Sequence, residues 1–375
     1  MLVTFDAATL RDALRLVSKL HPRSSTVPAD RLVRLDTPDA GGVVTIRRAS
    51  FDVDARAYLD SFVPAGEGGS VFVDAKELET AVPKKGVVTL WTDRENVDRL
   101  YVDGSGTSVS VRLRDGADAF PELEDAPPFA AVGLEELDSV LTVLAAAGRD
   151  ADAARPILQA AAIRANGNGT GTVVATDTYR LHGTTLSFVA GEPRDELLVR
   201  ADALALALKT ASYDVGIGRG EGYATLRYTS KKGPKRSPRV VECWTAVRSP
   251  EGPFPNYDTL LPDPADAATV WTVLDAAGTA DALRRHENRA NAPTVFAAAG
   301  SAVSVTTKVD GVETVGTVPF QTDGDALPIA LNPGYAADAF LHAGDGANVF
   351  VRDGLKAVYA ENGGTFSLLM PMRVG

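Results

Sequence analysis

Ser70-Val71-Phe72-Val73-Asp74-Ala75-Lys76-Glu77-Leu78-Glu79-Thr80-Ala81-Val82 reads as a strand that runs directly into a helix. The first four residues carry β-branched and aromatic bias. Asp74 offers a side-chain oxygen to the unpaired amides of a first helical turn, and Pro83 stops the helix. The junction returns twice. Glu196-Leu197-Leu198-Val199 enters a helix predicted over 201–211, and Leu327-Pro328-Ile329-Ala330-Leu331 enters Asn332-Pro333-Gly334-Tyr335, opening a helix predicted to reach Leu341. These second helices begin at residues 74, 201 and 332, steps of 127 and 131 residues. A period of that size in a 375-residue chain describes three domain-sized units.

Working outward, each unit opens with an amphipathic helix. Between Asp6 and His21, Leu10, Ala13, Leu14, Val17 and Leu20 share one face. Leu134, Leu137, Leu141 and Leu144 do the same over 134–147, and a third helix is expected over 274–289. Strands are predicted at Val43–Ile46, Val87–Thr92, Arg99–Val102 and Ser108–Val111. Units one and two close at Phe120-Pro121 and Phe254-Pro255, and the third ends in two strands, 348–359 and 366–372. Proline-rich joints, Asp125-Ala126-Pro127-Pro128 and Pro262-Asp263-Pro264, separate the units. The expected organisation is 1–125, 126–264 and 265–375. The fold class is α+β, each domain having two helices packed on antiparallel sheets of about eight strands. Three unrelated α+β domains are the competing reading.

Composition excludes several classes. Apolar residues are 45% and charged residues 23%, so the chain has material for packed cores. Net charge is −11, which argues against bulk attraction to nucleic acid or anionic membrane, though a local basic face is not excluded. The lone cysteine, Cys243, precludes an internal disulfide framework, and the four scattered histidines show no metal-binding spacing. No apolar run reaches membrane-spanning length, and the N-terminus carries no signal-peptide pattern, so a soluble cytoplasmic protein is expected. Asp177 and His182 lack a nucleophile elbow or second carboxylate, so no enzymatic chemistry and no cofactor or metal is expected.

Basic residues are sorted by surface. Arg11, Arg15 and Lys19 follow i, i+4, i+8, and Arg23 and Lys76 extend the stripe. The second unit offers Arg149, Arg155, Arg200 and Lys209, and the third Arg284, Arg285 and Arg289. A single such face is ordinarily just solvated. Several together, in an acidic chain, suit a concave surface that attracts phosphates without reading bases. Asn166-Gly167-Asn168-Gly169-Thr170-Gly171 precedes a strand, so a hairpin turn is expected rather than a phosphate loop. Lys231-Lys232-Gly233-Pro234-Lys235-Arg236-Ser237-Pro238-Arg239 is the strongest basic run. A mobile exposed hairpin loop is expected there, with contact to nucleic acid or a partner as the alternative.

Four motifs carry a resemblance. They are Arg155-Pro156-Ile157-Leu158, Ala175-Thr176-Asp177-Thr178-Tyr179-Arg180-Leu181, Phe254-Pro255-Asn256-Tyr257 through Pro262, and Met370-Pro371-Met372-Arg373-Val374. Together they resemble R-P-x-L, A-T-D-G-H-R-L, F-P-x-Y-x-x-x-x-P and M-P-M-R-L of the bacterial DNA polymerase III beta subunit, the sliding-clamp family. The resemblance implies a ring-forming, head-to-tail homodimer that encircles double-stranded DNA without sequence preference. It implies partners carrying clamp-binding peptides, namely the polymerase III alpha subunit, the clamp loader and other proteins, and no membrane. It carries over a peptide pocket of Leu158, Thr176, Thr178, Tyr179, Arg180, Leu181, Pro255, Leu260, Tyr335, Leu368, Leu369, Met370, Pro371, Met372 and Arg373. It likewise carries over DNA positions Arg23, Lys76, Pro156 and Ile157. The competing reading of the pocket set is an ordinary core seam. Thr178-Tyr179 stands where the family has Gly-His, so the backbone at Thr178 is expected to avoid positive φ. Thr259 stands where a basic residue is common, so altered peptide selectivity is expected. A non-replicative paralogue serving repair or inhibitor resistance, a hydrolase on repeated α+β domains, and a phage structural protein remain alternatives, and bacterial versus phage origin is open.

Overall fold

A computed structural model describes residues 1–21, 25–39, 42–61, 64, 67–93, 95–116, 120, 123, 126–148, 155–233, 238–288, 291–299, 302–325 and 327–374. The first repeat is β1 (Leu2–Asp6), α1 (Ala7–Ser18), β2 (Leu32–Thr37), β3 (Gly42–Ala49), β4 (Val53–Ser61), β5 (Gly69–Asp74), α2 (Ala75–Ala81), β6 (Val87–Thr92), β7 (Arg99–Gly104) and β8 (Thr107–Arg112). The second is β9 (Ala130–Val132), α3 (Leu137–Leu144), β10 (Ala160–Ala165), β11 (Thr170–Thr176), β12 (Arg180–Ala190), β13 (Leu197–Arg200), α4 (Ala201–Thr210), β14 (Val215–Gly220), β15 (Tyr223–Lys232) and β16 (Arg239–Arg248). The third is β17 (Thr269–Val273), α5 (Ala276–Arg284), β18 (Thr294–Ala299), β19 (Ala302–Val309), β20 (Val312–Val318), β21 (Phe320–Gly324), β22 (Ile329–Leu331), α6 (Pro333–Ala343), β23 (Asn348–Val351), β24 (Val358–Asn362) and β25 (Thr365–Leu369). The order is the same three times. The third repeat differs only in that one strand is split into β20 and β21 at Pro319, which has no amide hydrogen to donate.

The helix entries form as their caps dictate. Asp6 accepts from the Thr9 amide at 2.8 Å, Asp74 from the Lys76 and Glu77 amides, and Asn332 from the Tyr335 amide at 3.0 Å. Pro333 opens α6, where a missing amide costs nothing. Leu10, Ala13, Leu14 and Val17 of α1 are buried against β3, β4 and β16.

The chain packs as two compact units. The first comprises Met1–Leu134, Phe188–Glu192 and Asp202–Ser249. In it β1, β6, β7 and β8 form one four-stranded sheet. A second, longer sheet runs β5, β2, β3, β4, β16, β15, β14, β9. The second unit comprises Glu135–Ser187, Pro193–Ala201 and Pro250–Gly375. It has a four-stranded sheet β20, β19, β18, β22 and a longer one running β13, β10, β11, β12, β25, β24, β23, β17, β21. Its core gathers Trp271, Phe296, Phe320 and Phe340, all fully buried.

The repeats are therefore joined twice by the same kind of strand pairing. β4 pairs with β16, and the equivalent β12 pairs with the equivalent β25. The third pair of equivalents, β20 and β8, consists of sheet edges with no outer strand among the described residues.

Three sequence expectations need correction. The helix over 134–147 is shorter and buries Val140, Val143 and Leu144 instead of a leucine face. Glu136 just before it is held out of the helix, with its carboxylate bonded to the Ser187 hydroxyl at 2.8 Å. The predicted strand 348–359 is two strands, because Asp353 accepts from the Leu355 and Lys356 amides and folds a turn between them. The last strand ends at Leu369 instead of Met372. The glycine-rich 166–171 segment is the β10–β11 hairpin turn, with Gly167 and Gly169 both at φ +80°. Among the described residues no helix is long and apolar enough to cross a membrane.

Candidate functional site

The turn between β11 and β12 organises the site. Asp177 Oδ1 accepts from the Tyr179 and Arg180 amides at 3.0 and 2.9 Å, and Thr176 Oγ1 donates to the Arg180 carbonyl at 2.7 Å. These bonds impose a left-handed backbone on Thr178, at φ +77°. The expectation that a β-branched residue here avoids positive φ is thus overturned. The closed turn outweighs the local preference, which costs roughly 1–2 kcal/mol for an L-residue. Thr178→Gly is expected to stabilise the chain by about 1 kcal/mol, read as a higher urea midpoint, because glycine takes this conformation without strain. A lower midpoint would contradict the strain assignment.

The turn thrusts Tyr179 outward, 65% exposed, while Arg180 is drawn inward. Arg180 pairs with Asp177 at 3.2 Å and Asp338 at 2.7 Å, donates to the Ala145 carbonyl at 3.2 Å, and stacks 4.4 Å from the centre of the Tyr335 ring. Burial and the Asp177 carboxylate push the Tyr335 hydroxyl up from its ordinary pKa. The C-terminal segment is tied to the same place. Arg180 and Leu181 pair with Leu369 and Leu368, the Met370 amide donates to the Tyr179 carbonyl at 2.9 Å, and the Met372 amide donates to the Ala330 carbonyl at 2.8 Å.

The fifteen predicted pocket residues divide by exposure. Leu158, Thr176, Leu181, Leu368 and Leu369 are buried, so they support the site as core. Tyr179, Leu260 and Met370 expose large apolar surface, Thr178 and Arg373 are exposed, and Arg180, Pro255, Tyr335, Pro371 and Met372 are half-buried. Phe254 and Tyr257, flanking Pro255, join Leu181 and Leu368 in one apolar cluster. Beside Arg180 and Tyr335, the two predicted pocket residues in its lining, lies a polar cavity of about 480 Å³ lined also by Glu287, Asn332 and Asp338. Asp338 was missed in the sequence. Its position three residues after Tyr335, one helical turn on, was the available signal.

Beneath the turn lies a histidine pair, His182 buried and His342 half-buried. His182 Nδ1 is 2.7 Å from the Ser367 hydroxyl, and His342 Nε2 donates to the Gly183 carbonyl at 3.2 Å. The rings lie 5.3 Å apart. Burial first, then His342 and Arg180, holds His182 well below the ordinary 6.5, and burial also lowers His342. The unfolded chain therefore takes up protons below pH 6.5 that the folded chain refuses. Stability is full above that value and falls with pH, by up to about 1.4 kcal/mol per pH unit for each histidine. Urea midpoints at pH 7.5 and 5.5 should show this loss, and His342→Gln should reduce it. A midpoint unchanged by acid would refute the assignment.

The basic helix residues are placed unevenly. Arg11 Nη1 donates to the carbonyls of Glu79 and Val82 at 2.7 Å each, so it caps the end of α2. Arg15 bonds Glu79 at 3.2 Å and is half-exposed. Lys19, Lys76, Lys209 and Pro156 are exposed, and Arg200 and Ile157 are half-buried. Ile157 packs against the apolar cluster of Leu181. Arg23 and Arg149 lie outside the described residues, as do Arg289 and residues 234–237 of the basic run.

The architecture has close counterparts among solved structures. The Pseudomonas aeruginosa DNA polymerase III subunit beta is 20% identical, with both chains fully covered and a TM-score of 0.81. The Caulobacter crescentus DNA polymerase sliding clamp is 19% identical over both full chains, at 0.83. The Thermotoga maritima DNA polymerase III beta subunit is 18% identical over both full chains, at 0.81. The chain has the sliding-clamp fold. No family model and no curated protein matches the sequence. The clamp fold nonetheless extends over all three repeats, because the match covers the whole of each chain.

Proposed function

We propose that the protein is a DNA sliding clamp, a processivity factor that closes into a ring as a head-to-tail homodimer around duplex DNA. The observation that carries this reading is the spare pair of equivalent strand edges on a clamp-fold chain. Inside the chain the joint is made twice, β4 with β16 and β12 with β25. β8 and β20 are the remaining equivalents, and a second copy supplies each with its partner, closing a ring of six repeats. Val109 on β8 and Val312 and Val315 on β20 are exposed at these edges. Exposed Lys76 and Lys209 stand on helices α2 and α4, where they would face the phosphate backbone. Such a clamp works by geometry, without chemistry of its own. Its exposed Tyr179, Leu260 and Met370 would receive short peptides from the polymerase III alpha subunit, the clamp loader and other partners. The outward Tyr179 and the polar cavity beside it set the altered selectivity of that pocket.

Val315→Asp puts a charge into the proposed joint. Sedimentation equilibrium should then give 39.3 kDa, where the unaltered protein gives twice that mass. An unaltered protein that sediments as a monomer would contradict the dimer. Lys76→Glu/Lys209→Glu should shorten residence on DNA.

A further inference from the structure

The β15–β16 hairpin is more than a connection. Its strands pair from Tyr223 with Arg248 to Lys232 with Arg239, and the far end of this ladder reaches α1. Arg239 Nε donates to Asp12 Oδ2 at 3.1 Å, and Lys232 Nζ lies 4.0 Å from Asp12 Oδ1. Asp12, Arg15 and Lys19 stand at i, i+3 and i+7, one helix face. The hairpin end therefore meets α1 at Asp12, on the helix side that also carries Arg15 and Lys19.

The charges sort themselves at this meeting. Asp12 is enclosed, with 13% of its side chain exposed, whereas Lys232 and Arg15 keep 51% and 54%. Lys19 and Lys231 are exposed as well. Lys231 bonds the Tyr213 hydroxyl and sits 4.6 Å from the centre of that ring, beside Asp214. Glu79 is drawn to Arg15 at 3.2 Å. Lys232, Arg239, Arg15 and Lys19 thus gather four cations around Asp12 on a chain whose net charge is −11, while Lys231, the neighbouring strand residue, stands on the other face of the ribbon. Hydrogen-bonded strands and the Asp12 contacts fix the backbone that carries two of them, Lys232 and Arg239.

We propose that this hairpin is a DNA-contacting arm, which widens the phosphate-binding face of α1. The inference rests on the sliding-clamp reading. Lysine and arginine heads on a helix-and-ribbon face suit a sequence-blind polyphosphate. Tyr213 and Val240, which expose apolar surface, stand with Lys231 on the other face of the ribbon, so anchors of the kind that peptide recognition relies on lie away from these four cations.

The test is a titration of a fluorescent duplex by the full-length protein over a series of salt concentrations. Lys232→Gln/Arg239→Gln should lower the slope of log affinity against log salt by about 1.8, close to 0.9 for each phosphate no longer neutralised, and weaken binding about tenfold. Lys232→Gln alone leaves the Arg239–Asp12 bond intact and should lower the slope by about 0.9. An unchanged slope in both variants overturns the arm. If Lys76→Glu/Lys209→Glu weakens binding in that case, the clamp reading stands and only the arm is wrong. If no variant changes binding, the arm is wrong, and retention of the loaded protein on circular against linear duplex decides the clamp reading separately. If the hairpin variants keep their DNA slope but fail to capture the polymerase or clamp loader in a pull-down, the arm engages an acidic protein partner and the DNA assignment is refuted.

Discussion

Asp54→Ala is expected to destabilise the first unit by about 3–5 kcal/mol. Asp54 has no exposed surface and holds two arginines at once. Arg47 donates to it through Nε and Nη2 at 3.0 and 2.9 Å, and Arg56 Nη2 at 2.8 Å. Both guanidinium groups are also packed on rings, Arg47 at 5.6 Å from the centre of Phe120 and Arg56 at 4.1 Å from that of Trp244. Removing the carboxylate leaves two cations in a low-dielectric setting where they repel. The pair spans β3 and β4, and β4 makes the joint with β16, so the damage should reach the sheet that unites two repeats. Urea denaturation measures the loss. Replacing all three residues by apolar ones of similar volume should cost much less. A loss below about 1 kcal/mol for Asp54→Ala would show that the charges are not truly desolvated.

Arg180→Ala should affect both stability and function in the second unit. The side chain is 10% exposed and makes two ion pairs, a bond to the Ala145 carbonyl and a stack on Tyr335. Charged hydrogen bonds contribute about 1.5–3 kcal/mol each, but the partly exposed Asp338 regains water, so about 3 kcal/mol in total is expected. Tyr335 loses its stacking partner, and the Asp177 turn loses one tether. Fluorescence polarisation with the clamp-binding segment of the polymerase III alpha subunit should then show affinity reduced at least about tenfold. Arg180→Lys should not restore it, since an ammonium lacks the planar fork that reaches Asp177, Asp338 and Ala145 together. Full rescue by lysine would mean that charge alone matters at this position.

Much of the fold was legible because its markers are local. Asp6, Asp74 and Asn332 cap helices where their short polar side chains reach the first free amides, and strands such as Val87–Thr92 coincide with their apolar alternation. The joints were not legible. Which strand edge β4 or β12 meets depends on residues far apart in the chain, and an edge strand has no local mark of its partner. Thr178 was misread because residue type was set against backbone geometry without the Asp177 and Thr176 bonds that close the turn. Arg11 looked like part of a solvent-facing stripe, but a spacing of four residues gives the side of a helix and not what stands beside it, here the end of α2. In the same way, burial of Leu158, Leu181 and Leu368 followed from packing that motif resemblance does not carry.

Retention on DNA tests the central claim most directly. The protein, loaded by a clamp loader, would be followed on nicked circular duplex and on the same molecule after linearisation. The account predicts that it stays on the circle and runs off the free ends of the linear form within the same interval, because captivity is topological. Equal rates of loss from the two would contradict a closed ring.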